Sequence, residues 1–319
     1  MDRTASKKTD TGLSRVMALA VLCGVCALVQ AGWARAQAPA RASSAPRVQG
    51  PVQQPPEPPP VCTRASLEAA VASYLAAQES GERSKMAFAA KVVYLQNMSP
   101  VAADKGLWNT ALPIAFSRSF YDTTRCKTFS EVIVTRSPTQ YVIGTRLYVD
   151  KGRIRRIDSL VTQKGDWLFN ANNYLKISST EDWHTLTPAE RFPAQYLINA
   201  GNAYLDEFAD KFVQVPWGYP CARLEGGAYT DRKHNPHSTC KVGIPNGVLY
   251  IVNRDYVVDE DQGVVNIFCR FGNSTNGMPD SHTFRLVNGK LRWVHTLSVN
   301  VNAHKPGATT ISPQTPDYN

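Results

Sequence analysis

The sequence contains no block of like charges, although its formal net charge is +9. The basic excess is spread along the chain, which supports solubility and weak attraction to anionic surfaces more than nucleic-acid binding. Signatures of RNA-recognition motifs, zinc fingers and helix-turn-helix proteins are missing as well. The sequence also lacks a Gly-x-Ser-x-Gly elbow and a dinucleotide-binding fingerprint. These absences argue against a nucleic-acid partner, against hydrolases of the serine-elbow type and against nicotinamide enzymes.

A long apolar run is absent too. The run "VMALAVLCGVCALVQAG" near the N-terminus is too short and too poorly flanked for a stable membrane span. Basic residues precede it and small residues follow it, which is the pattern of an export signal. We therefore predict a signal peptide over residues 1–38, cleaved after Ala36 or Ala38, with an uncleaved anchor as the alternative. The mature protein is then secreted or periplasmic, without stable membrane insertion.

The next segment has almost nothing to bury. Residues 39–61 are rich in Pro, Ala and Gln and read as a disordered linker. The folded part is expected to begin near Cys62, and residues 303–319 are expected to form a flexible tail. The intervening chain is long enough for one large domain or two small ones.

Cysteines are few, and their positions suggest how they pair. Cys221 and Cys240 flank a polar loop, and a disulfide closing a loop of that size contributes about 3 kcal/mol. Cys62 precedes the first helical pattern and is expected to tie it to Cys126. Cys269 lies in the apolar stretch "VVNIFCRF", where a buried free thiol is expected.

An internal repeat defines the organisation. "LEAAVASYLAAQ" matches "LINAGNAYLDEF" at an offset of 130 residues, and each has the apolar spacing of an amphipathic helix. "GRIRRIDSLV" matches "GKLRWVHTLS" at an offset of 137. Between these markers each half carries β-rich segments. We predict an α+β architecture with halves 62–164 and 191–302, joined by the aromatic-rich segment 165–190. Each half is expected to be a roll in which a curved antiparallel sheet wraps a helix and leaves a conical pocket.

This repeated helix-plus-meander unit resembles the SnoaL-like, nuclear-transport-factor-like superfamily, which includes ketosteroid isomerase and scytalone dehydratase. "GDWLFNANNYL", "VPWGYPCARLEGGAYT", "YVVDEDQG" and "PDSHTFRLVNGKLRWVHTL" are similar, more closely, to a secreted family of unknown function that is common in fungi. The closer resemblance covers about residues 62–299. It implies a fold and export, and it implies no established activity.

The hairpin "PDSHTFRLVNGKLRWVHTL" carries three polar residues that a plain core strand would lack. Its Asn-Gly pair predicts a two-residue type I′ turn, which pairs Val287 with Lys290. An unbroken register then places His282 opposite His295, with Asp280 two residues before His282. All three are expected to point from the apolar, concave face, with residues such as Arg285 and Arg292 facing solvent on the other side.

Three interpretations of these residues remain open from the sequence. The histidines are satisfied core residues, or they are acid/base groups, or with the aspartate they form the two-histidine, one-carboxylate ligand set of non-heme iron. In the acid/base hypothesis His295 is the base, and His282, Asp280 and Glu225 assist. We expect no bound metal and no cofactor.

Further residues are candidates for substrate binding. "CARLEGGAYT" places Arg223 and Tyr229 beside Glu225 on a Gly-rich loop, with an ordinary Arg-Glu surface pair as the alternative. Trp217 and Trp293 are candidate aromatic contacts. Asp158 aligns with His295 in the repeat; a three-residue turn in its hairpin would place it opposite Gly144, and a pairing with Arg146 or Arg156 is the alternative.

The sequence thus favours an exported, cofactor-independent acid/base enzyme of the lyase, dehydratase or isomerase type. Its ligand would be a small polar or carbohydrate-derived molecule held in a conical pocket. The alternative is a non-catalytic exported protein that binds a small molecule or carbohydrate. "DRKHNPHSTC" also spaces histidines as a zinc site would, but its proline and its use of Cys240 in a disulfide disfavour a metal there.

Overall fold

The computed structural model describes residues 62–303 apart from 232–233, 242–243, 245–246 and 273–275. The predicted signal peptide, the predicted linker up to residue 61 and residues 304–319 of the predicted tail lie outside the described residues. Within the described part of the chain, no helix is both long enough and apolar enough to cross a membrane.

Three α-helices are present among the described residues: α1 (Arg64–Ser80), α2 (Ala171–Ser178) and α3 (Ala194–Asp206). Helix α1 begins where the Thr63 side chain accepts a hydrogen bond from the Ser66 amide, and it ends at Gly81 in the left-handed conformation. Single 3₁₀ turns lie at Arg83–Lys85, Ala103–Lys105, Leu107–Asn109 and Pro188–Glu190.

The strands of the described residues form two sheets of six. The first sheet contains β1 (Phe88–Gln96), β2 (Ser99–Pro100), β3 (Phe116–Asp122), β4 (Lys127–Val134), β5 (Tyr141–Asp150) and β6 (Arg153–Thr162). The second contains β7 (Trp217–Glu225), β8 (Ala228–Tyr229), β9 (Ile251–Asp259), β10 (Val264–Phe271), β11 (Met278–Val287) and β12 (Lys290–Ser298).

The two sheets have the same strand order, β2-β1-β6-β5-β4-β3 and β8-β7-β12-β11-β10-β9. The architecture is α+β, and each sheet follows a helix that packs against it, as the internal repeat predicts. The expectation of a purely antiparallel sheet is wrong, because β1 pairs with β6 and β7 with β12 in parallel. Short turns join β3, β4, β5 and β6, so each of these strands runs antiparallel to the one before it. The connection from β1 to β3 is long, so it does not fix the direction of β1 relative to its neighbour β6.

Three hydrophobic cores stack through the part of the chain that the structure describes. The first lies between α1 and the first sheet, and the third lies between α3 and the second sheet. The middle core lies between the two sheets and includes α2. Gly144 permits close packing there, since a Cβ atom at this position would lie 3.2 Å from Leu297 Cδ1 of the other sheet. Each sheet therefore has one face toward its helix and one face toward the other sheet.

The connecting segment packs the halves together, as its aromatic residues suggest. The Trp183 ring stacks on Trp293 with ring centroids 5.8 Å apart and lies 5.5 Å from the ring of Phe120. It therefore contacts strands β3 and β12, one from each sheet.

The predicted cysteine pairing is confirmed. Cys62 is bonded to Cys126 and Cys221 to Cys240, while Cys269 is a buried free thiol. Two disulfides are consistent with folding in an oxidising compartment.

Candidate functional site

The β11–β12 hairpin differs from its predicted register. Its turn is the expected one, with Asn288 and Gly289 both at positive φ and Val287 paired with Lys290. A bulge at Arg292 then shifts the pairing by one residue, so that Thr283 instead of His282 lies opposite His295. A one-residue shift moves every following side chain to the other face of the sheet.

The predicted pairing of the two histidines is therefore wrong. His282 and Asp280 point toward α3, whereas His295 points into the middle core. The predicted solvent face is also wrong, because Arg285 is buried and its Nη2 donates to the His184 carbonyl at 2.8 Å. The first sheet covers the face that a single hairpin would expose to water.

The hairpin of the first half has the same geometry. Lys151 and Gly152 form a two-residue turn at positive φ instead of the expected three-residue turn, and a bulge follows at residue 155. Asp158 consequently lies opposite Arg146 and not opposite Gly144. Asp158 and His295 thus hold equivalent positions, and both point to the space between the sheets.

His295 lies in a buried cluster with two carboxylates. Its Nδ1 is 3.0 Å from Glu131 Oε2, and its Nε2 is 2.6 Å from Glu181 Oε2. Glu131 also accepts hydrogen bonds from the Tyr174 hydroxyl at 2.7 Å and from the Ser178 hydroxyl at 3.0 Å. Because a carboxylate only accepts, both ring nitrogens must donate, and the ring is an imidazolium.

The electrostatics of this cluster favour its charged form. Burial alone lowers the pKa of His295, but the charges of Glu181 and Glu131 outweigh burial and raise it to about 9. Burial alone raises the pKa of Glu131, but His295 and then Arg118 lower it to about 2. A proton held this firmly at neutral pH suits a structural cation, and this environment does not support His295 as a general base.

These shifts predict how stability depends on pH. The contribution of His295 is fully present below pH 6.5 and is lost as the pH rises through about 9. The contribution of Glu131 is present above pH 4.5 and is lost as the pH falls toward about 2. We expect the free energy of unfolding to fall between pH 6.5 and 9 by up to about 3 kcal/mol. Denaturant unfolding across this range would contradict the assignment if wild type and His295→Gln had equal slopes against pH.

The α3 face of the second sheet gathers another group of predicted residues. Arg223 Nη1 donates to the Tyr204 hydroxyl at 3.0 Å, and Nη2 donates to Glu225 at 2.5 Å. The Arg-Glu pair exists, but it is largely buried and not a surface pair. Trp217 packs edge-on against Tyr204 with ring centroids 5.7 Å apart. This face also carries His282 and Asp280, so the expected site residues of the second sheet divide between its two faces.

A cavity of about 570 Å³ opens between the two sheets around Asp158. One part of its wall is apolar and consists of Leu95, Met98, Leu160 and Phe268. The other part carries charges, from Lys127, Arg146, Arg156, Asp158, Asp255 and Arg270. We call this space the inter-sheet cleft. Its volume is typical of small-molecule sites, as is the combination of an apolar wall with a few polar groups.

Tyr148 stands at the centre of the charged wall. Its hydroxyl is 2.9 Å from Asp158 Oδ2 and 2.8 Å from Asp255 Oδ2, so one phenol contacts a carboxylate from each sheet. Arg156 donates twice to Asp158, at 2.8 Å from Nε and 2.8 Å from Nη2. Burial and the neighbouring carboxylates raise the pKa of Tyr148 far above its usual range, although Arg146 opposes them. The phenol therefore keeps its proton.

Other cations fix the second carboxylate. Arg146 is fully buried; its Nε donates to Asn266 Oδ1 at 2.9 Å and its Nη1 to Asp255 Oδ2 at 2.9 Å. Lys127 Nζ lies 2.6 Å from Asp255 Oδ1. Lys127 and Arg146 come from the first sheet and Asp255 from the second, so these bonds also hold the sheets together.

Sequence reasoning identified Asp158 here and named Arg146 or Arg156 as its alternative partner, and Arg156 does pair with Asp158. It missed Tyr148 and Asp255. The sequence signal for Tyr148 is the two-residue alternation in "GTRLYV", which places Arg146 and Tyr148 on one face; this stretch carries no signal for Asp255. The predicted contact residue Tyr229 lies elsewhere, beside a second cavity of about 340 Å³. Trp293 packs in the middle core.

Residues 190–298 match the model of a family described as a domain of unknown function, DUF8021. The matched segment extends from just before α3 to the end of β12 and therefore corresponds to the second half. No curated protein matches the chain. The family match agrees, over these residues, with the predicted resemblance to a family of unknown function.

Proposed function

We propose that this chain is an exported protein that binds a small polyhydroxylated molecule, such as a sugar derivative, in the inter-sheet cleft. The observation that carries the proposal is the position of Tyr148 between Asp158 and Asp255. A phenol has one proton and satisfies one carboxylate at a time, so the other carboxylate keeps acceptor capacity for a ligand hydroxyl. The proposal also includes three expectations from the sequence. The chain is exported, its two halves are SnoaL-like, and it resembles a secreted family that is common in fungi.

The composition of the cleft wall narrows the ligand class. Four basic side chains and two carboxylates line it, which favours a ligand that carries a negative charge beside its hydroxyl groups. The apolar wall, with Phe268 and Leu160, suits the carbon skeleton of a compact ring. A sugar acid combines these properties.

The test is a binding screen of neutral sugars, polyols and sugar acids by thermal shift, followed by calorimetry. Asp158→Asn is expected to weaken binding of a positive ligand by about 10- to 100-fold, because a charge-assisted hydrogen bond is lost. Asp150→Asn is the matched control, since Asp150 is exposed at the end of the same hairpin. Equal loss in both variants, or a ligand that binds Asp158→Asn normally, would show that the cleft is not the site.

A second candidate function uses the same cleft for acid/base catalysis of the lyase, dehydratase or isomerase type. It is favoured by Tyr148, because a hydroxyl between two carboxylates is placed to hydrogen-bond a ligand oxygen and to stabilise negative charge that develops on that oxygen during the reaction. Tyr148→Phe would then abolish conversion of the ligand while leaving binding within a few-fold. Mass spectrometry of a ligand incubated with wild type and variant separates this candidate from binding alone.

A further inference from the structure

Three side chains of different chemistry converge between α3 and the second sheet. Cys269 on β10 lies directly opposite Asp280 on β11, and His282 follows two residues later on β11. Alternate residues of a strand share a face, so all three point toward α3. Each offers one potential ligand atom, and these atoms lie within 4.8 Å of one another. All three residues are buried.

Two polar atoms of this cluster make no hydrogen bond with any described residue. Asp280 Oδ2 and His282 Nδ1 are both buried, and they face each other at 3.2 Å, an ion-pair distance, without the geometry of a hydrogen bond. Buried polar atoms in folded proteins are normally hydrogen-bonded, so these two atoms need an explanation. The other carboxylate oxygen, Asp280 Oδ1, accepts from the Ser281 amide at 3.0 Å and the Ser298 hydroxyl at 2.8 Å. These bonds orient the carboxylate and leave Oδ2 beside His282.

We propose that Cys269, Asp280 and His282 bind a zinc ion. Thiolate, imidazole and carboxylate are the three ligand types that zinc takes in proteins, and tetrahedral bond lengths place neighbouring ligand atoms roughly 3.4 to 3.6 Å apart. The potential ligand atoms of the cluster lie within 4.8 Å of one another, which is close to this spacing. The bonds to Asp280 Oδ1 supply the outer hydrogen bonds that orient a ligating carboxylate. Zinc binding forms the metal–sulfur bond and releases the thiol proton to solvent.

This ligand set differs from those that the sequence suggests. The two-histidine iron set is not formed, because His295 lies on the other face of the sheet. The zinc-like spacing in "DRKHNPHSTC" lacks its thiolate, because Cys240 is bonded to Cys221. Three protein ligands leave the fourth position of a tetrahedral zinc for water or another small donor. The proposal replaces the expectation of no bound metal.

The test uses the full chain expressed with zinc and analysed for metal content by mass spectrometry. We expect one zinc ion per chain in wild type and only background zinc in Cys269→Ser, which preserves side-chain size. The His234→Gln/His237→Gln double variant is the control, since both of these histidines are exposed on the loop that resembles a zinc motif. It should keep its zinc.

A second readout shows whether a variant that lacks zinc is still folded. Wild type is unfolded with its disulfides intact and refolded with cobalt(II), and a thiolate-to-cobalt charge-transfer band is expected. Cys269→Ser should melt cooperatively and lack the band. Absence of both zinc and the cobalt band in folded wild type would overturn the proposal, as would zinc that survives in Cys269→Ser and disappears in the double-histidine control.

Discussion

Replacing His295 with glutamine is expected to lower the free energy of unfolding by about 3–5 kcal/mol, the usual cost of removing one partner from a buried ion pair. The imidazolium lies between the carboxylates of Glu131 and Glu181, and all three side chains are buried. Glutamine keeps some hydrogen bonding but no charge, so two buried carboxylates would lose the imidazolium, and Arg118, at 3.7 Å from Glu131, would compensate only part of their charge. Equilibrium denaturation at neutral pH measures the loss.

His184 provides a matched control. It also has a carboxylate partner, with Nδ1 2.9 Å from Asp182 Oδ2, but the two side chains are 55% and 70% exposed. Exposed pairs contribute only about 0–1 kcal/mol, so His184→Gln should be nearly neutral. Similar losses in the two variants would mean that burial of the His295 cluster is not the cause.

A double-mutant cycle isolates the interaction from the loss of packing. Glu131→Gln removes one buried anion, so in combination with His295→Gln it leaves fewer uncompensated charges than the single change does. The double variant is therefore expected to be less destabilised than the sum of the single variants, with a coupling of about 1–3 kcal/mol. Additive losses would show that the 3.0 Å contact between His295 and Glu131 carries no net energy.

The features that could be predicted from the sequence depend on local pattern. The apolar spacing around Tyr74 and Tyr204 predicts two helices, and both tyrosines are buried against their sheets. The Asn-Gly pair predicts the turn between β11 and β12. The cysteine pairing follows from the position of each cysteine next to a loop or a helix start. The helix and turn predictions need only neighbouring residues, whereas the Cys62–Cys126 bond joins positions 64 residues apart.

The features that could not be predicted depend on how distant segments pack. The bulge at Arg292 leaves no mark in the alternation of "KLRWVHTLS", yet it places His295 and His282 on opposite faces. The partners of His295 come from β4 and from the segment after α2, and those of Tyr148 come from both sheets. The repeat predicts two sheets, but not which faces of them meet.

Removing the disulfide between Cys62 and Cys126 is the second change expected to have a large effect. This bond joins the start of α1 to the turn before β4 and closes a loop with a sequence separation of 64 residues. The chain-entropy relation assigns about 4 kcal/mol to a loop of this length. Cys62→Ala/Cys126→Ala should therefore lower the melting temperature by about 10 °C in a domain of this size.

The second disulfide tests whether loop length is the cause. Cys221 and Cys240 are separated by 19 residues, for which the same relation gives about 3 kcal/mol. Cys221→Ala/Cys240→Ala should therefore be the milder pair of substitutions. Denaturant unfolding of both variants measures this, provided that the free energy of unfolding depends equally on denaturant concentration in the two. The reverse order would show that contacts in the folded state outweigh the constraint on the unfolded chain, because the loop entropy depends only on the number of residues enclosed.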